Sequence, residues 1–396
     1  MSDYVERILP QNSPLWKQKA PLLPQLDIEL TERCNNDCIH CCINLPASDR
    51  EARARELPTA EIKRILDEAA GLGCLSVRYT GGEPLVRSDF EELYLYARRL
   101  GMKVVLYTNA RLVTPRLADL FAKVPPSPIE VTVYGMRAES YEAVTRAPGS
   151  FVQFRRGVDL LLERQIAFVV RSVVLPPNRA EMAEFEAWAA TIPCMEGLPP
   201  YVMFFDLRGR RDDPKKNREI RSLRVSGEEG MRIMYRGGGG VPKVIVEFCR
   251  KFVRPAGDKL FFCGLGEGAC VDAYGRFQAC LLLRVPELSY DLRQGTLRDA
   301  LENHIPRLQA MKASNPEYLA RCARCFLHGL CDQCPAKSWT ESGTLDTPNE
   351  YLCEIAHAQA RHMGLIGIDE RAWEVVDWHS RIEALDAVHS CRPRKC

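Results

Sequence analysis

Three cysteines within a short stretch, Cys34, Cys38 and Cys41, stand in a CxxxCxxC spacing. One loop thereby offers three thiolates. A four-iron, four-sulfur (4Fe-4S) cluster held by three cysteines keeps one iron open to a small molecule, and that vacancy is the chemical content of the spacing. A zinc knuckle competes with this reading, but it needs a fourth ligand, and adjacent His40 or Cys42 reaches a tetrahedral site only with difficulty. A denser group follows far along the chain: Cys263, Cys270 and Cys280, then Cys322, Cys325, Cys331 and Cys334 as CxxCxxxxxCxxC, then Cys353. A zinc ribbon would place well over a dozen or so residues between its CxxC pairs; here there are five. Of the remaining cysteines (Cys42, Cys74, Cys194, Cys249, Cys391 and Cys396), Cys74 and Cys194 read as small buried hydrophobes.

Composition sets the compartment in which these thiols are read. The chain has 396 residues with 54 Lys and Arg against 52 Asp and Glu, a net charge of +2. Neither a nucleic-acid footprint nor a polybasic membrane anchor follows from such a balance. Met1 to Pro10 has no apolar signal segment, and no run approaches the roughly 18 apolar residues of a membrane helix. The expectation is a cytoplasmic protein with no nucleic-acid or membrane partner. In a reducing compartment, 17 cysteines point to metal or cluster ligation ahead of disulfides.

The elements that must position the thiols alternate in type. Strands are predicted at Gln25 to Leu30, Cys74 to Tyr79, Met102 to Tyr107, Ile129 to Val133, Ile166 to Val174 and Tyr201 to Leu207. Between them, Thr59 is predicted to cap a helix with an Ile62, Ile65, Leu66, Ala69 stripe, and Ser88 with Glu91 forms a capping box for a helix ending at Gly101. Further helices are predicted after Thr114, from Ser150 to Glu163 and from Asn178 to Ala190. Six such units imply parallel strands, either in a partial (β/α)6 barrel or in a doubly wound α/β sheet. Both place ligands at the carboxyl ends of the strands, where the first cysteine loop falls. Asp206 to Arg224, with eight basic and four acidic residues, reads as a solvated loop over that mouth, with an acidic substrate segment or a phosphate as its alternative contact. Gly237 to Gly240 reads as a linker.

The second strand ends in Thr80, Gly81, Gly82, Glu83 and Pro84, and with CxxxCxxC one unit earlier the chain resembles the radical S-adenosylmethionine (SAM) superfamily. The resemblance implies a partial (β/α)6 barrel, a 4Fe-4S cluster on Cys34, Cys38 and Cys41, and SAM bound at its open iron. It also implies SAM contacts from the GGEP motif, from His40 packing on adenine, and from Asn109, Thr132 and Arg171. Glycines at the motif would let backbone approach the ligand. Arg171 serves equally as a structural ion pair, and Tyr134 stands where many members have aspartate. The second cysteine group resembles the SPASM domain of peptide-modifying members, with one residue missing between Cys331 and Cys334. Carried over by position, Cys263, Cys270, Cys280 and Cys334 would hold one auxiliary 4Fe-4S cluster, and Cys322, Cys325, Cys331 and Cys353 another.

The organisation implied is an N-terminal extension over 1–24, the barrel over 25–207, the charged insertion and glycine linker over 208–255, the SPASM domain over 256–360 and a helical tail over 361–396. The activity implied is reductive cleavage of SAM to a 5′-deoxyadenosyl radical that oxidatively modifies a peptide or protein, with electrons from an external flavodoxin or ferredoxin. A maturase of a small-molecule or metal cofactor is the alternative, and a non-catalytic iron-sulfur carrier a third reading. The aspartate that sulfatase maturases place after the third auxiliary cysteine is Leu281 here, which argues against that reaction. No general base is evident. Asp206, at the end of the sixth strand, is expected to cap a helix.

Overall fold

The computed structural model describes residues 22–193, 201–210, 212–236, 243–263, 265, 268–331 and 334–385. Six parallel strands pair in sequence order: β1 (Gln25–Thr31), β2 (Ser76–Gly81), β3 (Lys103–Thr108), β4 (Ile129–Val133), β5 (Phe168–Val173) and β6 (Tyr201–Phe204). Helices α1 (Thr59–Gly71), α2 (Phe90–Arg99), α3 (Pro115–Lys123), α4 (Ser150–Glu163) and α5 (Met182–Ala189) fall in the connections, giving the partial (β/α)6 barrel. Leu26, Ile28 and Leu30 on β1 point into the helix layer and are fully buried, as are Val77, Tyr79, Val104 and Leu106 on its neighbours. The opposite face of the strands carries polar side chains matched across the ladder. Asp27 on β1 stands opposite Arg78 on β2 and pairs with it at 2.9 Å, Arg78 lies over the Tyr107 ring, and Glu130 pairs with Arg171. Such a face suits a ligand-filled interior rather than a dry core.

Two helix starts differ from expectation. Thr59 is the first residue of α1 behind Pro58, and its hydroxyl donates to Asp89 at 2.6 Å instead of capping. Helix α2 begins after Asp89 without a side-chain cap, because Arg87 binds both carboxylate oxygens of Asp89 at 2.6 and 2.8 Å. That fork replaces the Ser88 and Glu91 capping box. Thr114 does cap α3, accepting from the Leu117 N–H at 3.2 Å.

Among the described residues, the cysteine-rich region forms no sheet of its own. Its first strand, β7 (Gly268–Val271), runs parallel to the open edge of β1, with Gln25 opposite Gly268 and Ile28 opposite Val271. Then β8 (Arg276–Gln278) and β9 (Tyr290–Asp291) add antiparallel, so one nine-stranded sheet crosses the expected boundary. The charged segment is likewise built in. It forms α6 (Pro214–Ser222), whose Asp213 cap accepts from Lys216 N–H at 2.9 Å, and Ile220 packs with Ile39, Val144 and Leu207. Two later helices, α7 (Pro335–Ser342) and α8 (Glu350–His362), close the mouth from the cysteine-rich side. No helix among the described residues is long and apolar enough to cross a membrane. Gly237 to Gly240 and the segments before Leu22 and after Leu385 lie outside the described residues, as does Cys194.

Candidate functional site

The first cysteine loop leaves β1 at Thr31 and is clamped at once by the end of β2. Gly82 N–H donates to Thr31 O at 2.7 Å and Glu83 N–H to Arg33 O at 2.9 Å. A Cβ at Gly81, whose φ is +121°, would lie 2.1 Å from Thr31 O, and one at Gly82 would lie 2.4 Å from Arg33 O. The glycines therefore serve the approach of one backbone to another, where the sequence suggested approach to a ligand. The Glu83 side chain is fully buried and also committed inward. It accepts from Leu85 N–H (3.1 Å), the Thr108 hydroxyl (2.9 Å) and Asn109 N–H (2.8 Å), tying the β2 end to the β3 end. Burial outweighs these donors and pushes its carboxyl up to about 7.

The three thiols meet within this clamp. Burial, then the charges of Glu83 and Cys41, push Cys34 up to about 12, while burial and Cys42 push Cys41 up to about 11. Cys38 is raised by burial and by both partners, Cys41 and Cys34. Bare, the loop resists holding three thiolates; a cationic cluster is what would ionise them together. Two cations brace it: Lys216 on α6 donates to Cys38 O at 2.8 Å, and Arg111 bonds Asn35 O and the Asn36 side chain. Neither was legible in the sequence, since both lie outside the motifs. No group of three or more His, Cys, Asp or Glu side chains among the described residues is gathered as a single metal ion needs.

The expected SAM contacts are distributed as follows. Asn109 donates to Asn35 Oδ1 at 2.7 Å and lies 3.8 Å from Cys34 Sγ, so it also steadies the loop. The His40 ring stands 5.8 Å from that of Tyr134; its Nδ1 is buried without a partner, and burial with the charge of Lys216 lowers its pKa to about 4. A neutral ring with a spare nitrogen is open to a planar ligand. Thr80 borders the barrel cavity, and Thr132 sits half-buried on β4 opposite Arg171. Arg171 forms the ion pair with Glu130 and contacts the Tyr107 hydroxyl at 3.2 Å. Pro84 opens a short 3-10 turn, has no N–H to donate, and its carbonyl accepts from Arg87 N–H at 3.2 Å.

The second group of cysteines separates into two sets. Cys263 is raised to about 11 by burial, Cys334 and Cys280, while Cys322 is raised to about 12 by burial and Cys353. Cys325 and Cys331 respond to Cys353 and Cys322 as well. Thus Cys331 and Cys334, three positions apart, face different neighbours; the two residues between them lie outside the described segments. Cys270 departs from the expectation. It is fully buried in β7 opposite Asp27, and the charges acting on its sulfur are those of Glu29, Arg284, Asp27 and Asp272. Strand alternation decides this: Ala269 and Val271 take the core face, so Cys270 takes the carboxylate-rich one.

A cavity of about 420 Å³ opens at the carboxyl ends of the strands. Its walls combine Glu29, Thr80 and Tyr107 from the barrel, Cys42 from the first loop, the segment after β6, and Arg284, Lys337 and Tyr351 from the cysteine-rich side. Asp206 pairs there with Lys337 at 3.3 Å and caps no helix; the cap of α6 is Asp213. The charged insertion is largely consumed within the molecule: Arg224 and Arg221 bind Glu341, Arg146 binds Glu219, and Arg210 binds Asp212. Half-buried Arg284 reaches Glu29 and Glu32, leaving Glu29 Oε2 without a partner. Burial pushes the Glu29 carboxyl up to about 7, against the attraction of Arg284. A second cavity of about 640 Å³ adjoins the first and is bordered by Cys263, Cys280 and Cys334, with Leu281 and Leu282 common to both.

Residues 28–189 match the family model of the Radical SAM superfamily. The chain is 27% identical over 339 residues to an AdoMet-dependent heme synthase of Methanosarcina barkeri, spanning 80% of this chain and 92% of that protein. It is 36% identical over 163 residues to the mycofactocin maturase MftC of Mycolicibacterium smegmatis, spanning 41% of this chain and 40% of MftC. Among solved structures, Streptococcus suis SuiB bound to its precursor peptide SuiA superposes with a TM-score of 0.62 at 14% identity, over 86% of this chain and 78% of SuiB.

Proposed function

For this chain, an enzyme that belongs to the radical SAM superfamily and has the architecture of its SPASM-type members, we propose a maturase that oxidises a small organic cofactor precursor of the tetrapyrrole kind. The barrel cavity carries this reading. Its volume of about 420 Å³ falls within the roughly 300 to 1,000 Å³ of small-molecule sites. The heme synthase relative, aligned through nearly its whole length, supports the same substrate class.

A cluster on Cys34, Cys38 and Cys41 together with SAM would supply, on one-electron reduction, a 5′-deoxyadenosyl radical able to take hydrogen from an unactivated carbon. The chain's own residues then orient and shield. Lys216, Arg111 and Asn109 hold the cysteine loop, the Gly81 and Gly82 backbone fixes the β2 end beside it, and His40 offers a neutral planar surface. Thr80 and Tyr107 present the barrel side of the cavity, and α7 with α8 keeps water from its mouth. The unpartnered Oε2 of Glu29 is placed to receive the proton released when the substrate is oxidised. Auxiliary clusters on the two cysteine sets would accept the electron, and a flavodoxin or ferredoxin would supply the one that starts the cycle.

The test is anaerobic turnover of the reconstituted protein with SAM, a reductant and an iron porphyrin bearing carboxylate side chains. Deuterium placed on the porphyrin side chains should appear in 5′-deoxyadenosine, with a lower porphyrin mass. Unlabelled 5′-deoxyadenosine and an unchanged porphyrin would reject the reading. A peptide substrate is the second reading, favoured by the 36% identity to MftC over 163 residues. It predicts that a peptide, and not the porphyrin, loses two hydrogens.

A further inference from the structure

Resting on the tetrapyrrole reading but separable from it, we propose that Arg208 anchors a carboxylate of the substrate at the junction of the two cavities. Five cations border the barrel cavity: Arg208, Arg210, Arg224, Arg284 and Lys337. Four of them are engaged. Arg284 holds Glu29 and Glu32, Arg224 holds Glu341 and the Leu207 carbonyl, Arg210 holds Asp212 and the Asn44 carbonyl, and Lys337 holds Asp206. Those same four cations occupy every carboxylate of the wall. Arg208 is exposed, and among the described residues no hydrogen bond or ion pair involves it.

The position of this guanidinium also matters. It borders the cavity that carries Thr80 and Cys42, and it borders the neighbouring cavity lined by Cys263, Cys280 and Cys334, where its charge acts on Cys280. A rigid planar fork of donors matches a carboxylate bidentately. An anion held there would set the substrate body between the loop of the first three cysteines and the second set. Hydrogen removal and electron departure would then face the same molecule from two sides. The rest of the shared wall is Lys337, already paired with Asp206, and Leu281 and Leu282, apolar surface for the substrate's uncharged part.

The experiment measures dissociation constants of the reconstituted protein, wild type and the Arg208→Ala and Arg208→Lys variants, for four probes. These are coproporphyrin III, a carboxylic acid, its methyl ester, an aspartate-containing peptide and its asparagine counterpart. The expected result is that Arg208→Ala weakens the acid porphyrin by about tenfold or more, that Arg208→Lys recovers part of the loss, and that the ester is indifferent to both. If Arg208→Ala binds both anionic probes as wild type does, the anchor is wrong. Equal loss of acid and ester means a structural role and overturns it too, as does an altered spectrum of the auxiliary clusters with anion binding intact. If wild type ignores both porphyrins but prefers the aspartate peptide in an Arg208-dependent manner, the anchor stands and the tetrapyrrole reading falls. If wild type prefers neither anionic probe to its neutral partner, the anchor falls on its own.

Discussion

Replacing Gly82 by alanine asks whether the end of β2 and the first cysteine loop are one packed unit. The new Cβ would lie 2.4 Å from Arg33 O and 2.5 Å from Glu32 O. Ordinary contact begins near about 3.5 Å, so the two backbones must part by roughly 1 Å. Parting stretches the Gly82 N–H bond to Thr31 O and the Glu83 N–H bond to Arg33 O, now 2.7 and 2.9 Å. Overpacking costs about 1 to 3 kcal/mol and each weakened backbone bond up to about 1 kcal/mol. The sum is on the order of 3 kcal/mol, which in a chain of 396 residues lowers a melting temperature by about 4 °C. Cys34 follows Arg33 directly, so iron bound by the first loop should be lost as well, with iron on the later cysteines retained. The assay is calorimetry and iron per chain on Gly82→Ala, beside Gly71→Ala as the control. Gly71 is exposed on α1 with nothing within 4 Å of its would-be Cβ, so alanine there should be neutral or stabilising by up to about 1 kcal/mol. A Gly82→Ala protein with wild-type melting and full iron would refute the backbone clamp and return the glycine to a ligand-facing role.

Cys334→Ala and Cys322→Ala should each remove one auxiliary cluster, and not the same one, by iron content and electron paramagnetic resonance; a common loss would break the partition. Cys270→Ser should leave the iron content unchanged, whereas loss of a cluster would restore Cys270 as a ligand. Lys216→Met strips the charged donor from the buried Cys38 carbonyl and leaves it the Cys41 N–H at 3.1 Å, costing about 1.5 to 3 kcal/mol and speeding iron loss to a chelator; an unaltered rate of loss would show α6 to be dispensable. Arg284→Met leaves Glu29 buried without its cation and should lower stability by about 3 to 5 kcal/mol near neutral pH. Burial raises the Glu29 carboxyl to about 7, so the group favours the folded state when protonated and penalises it as pH rises through 7. The penalty of the variant should therefore shrink at pH 5, and denaturant midpoints equally depressed at both pH values would contradict this.

The barrel strands were legible because their chemistry is redundant. Ile129–Val133 has the bounds read from the sequence, and the other five strands overlap theirs, since apolar runs end at glycine, proline or polar clusters. The added strands were missed because β7 is four residues long between glycine-rich segments and gains its stability by pairing with β1, a contact of high sequence separation. The α2 start was misread because Ser88 and Glu91 satisfy a local pattern, while Arg87 offers Asp89 a stronger, charged alternative. The insertion was read as solvated because charge composition does not reveal partners; Glu341 and Asn44 lie far off in sequence. Cys270 was assigned by its place in a pattern, and the pleat of β7 turned it to the other face.

The pairing of β7 with β1 bears on how the chain is born. On the ribosome, β1 acquires β2 early, but its other edge stays bare until residues 268–271 emerge, after more than half of the chain has been made. Throughout that interval a seven-residue strand presents an unpaired row of amides and carbonyls, the kind of edge that recruits strands from other molecules. A nascent barrel released before that point would be prone to edge-to-edge aggregation. The cysteine-rich region thus acts in synthesis as a late capping piece, and the yield of native protein should depend on how quickly elongation delivers it.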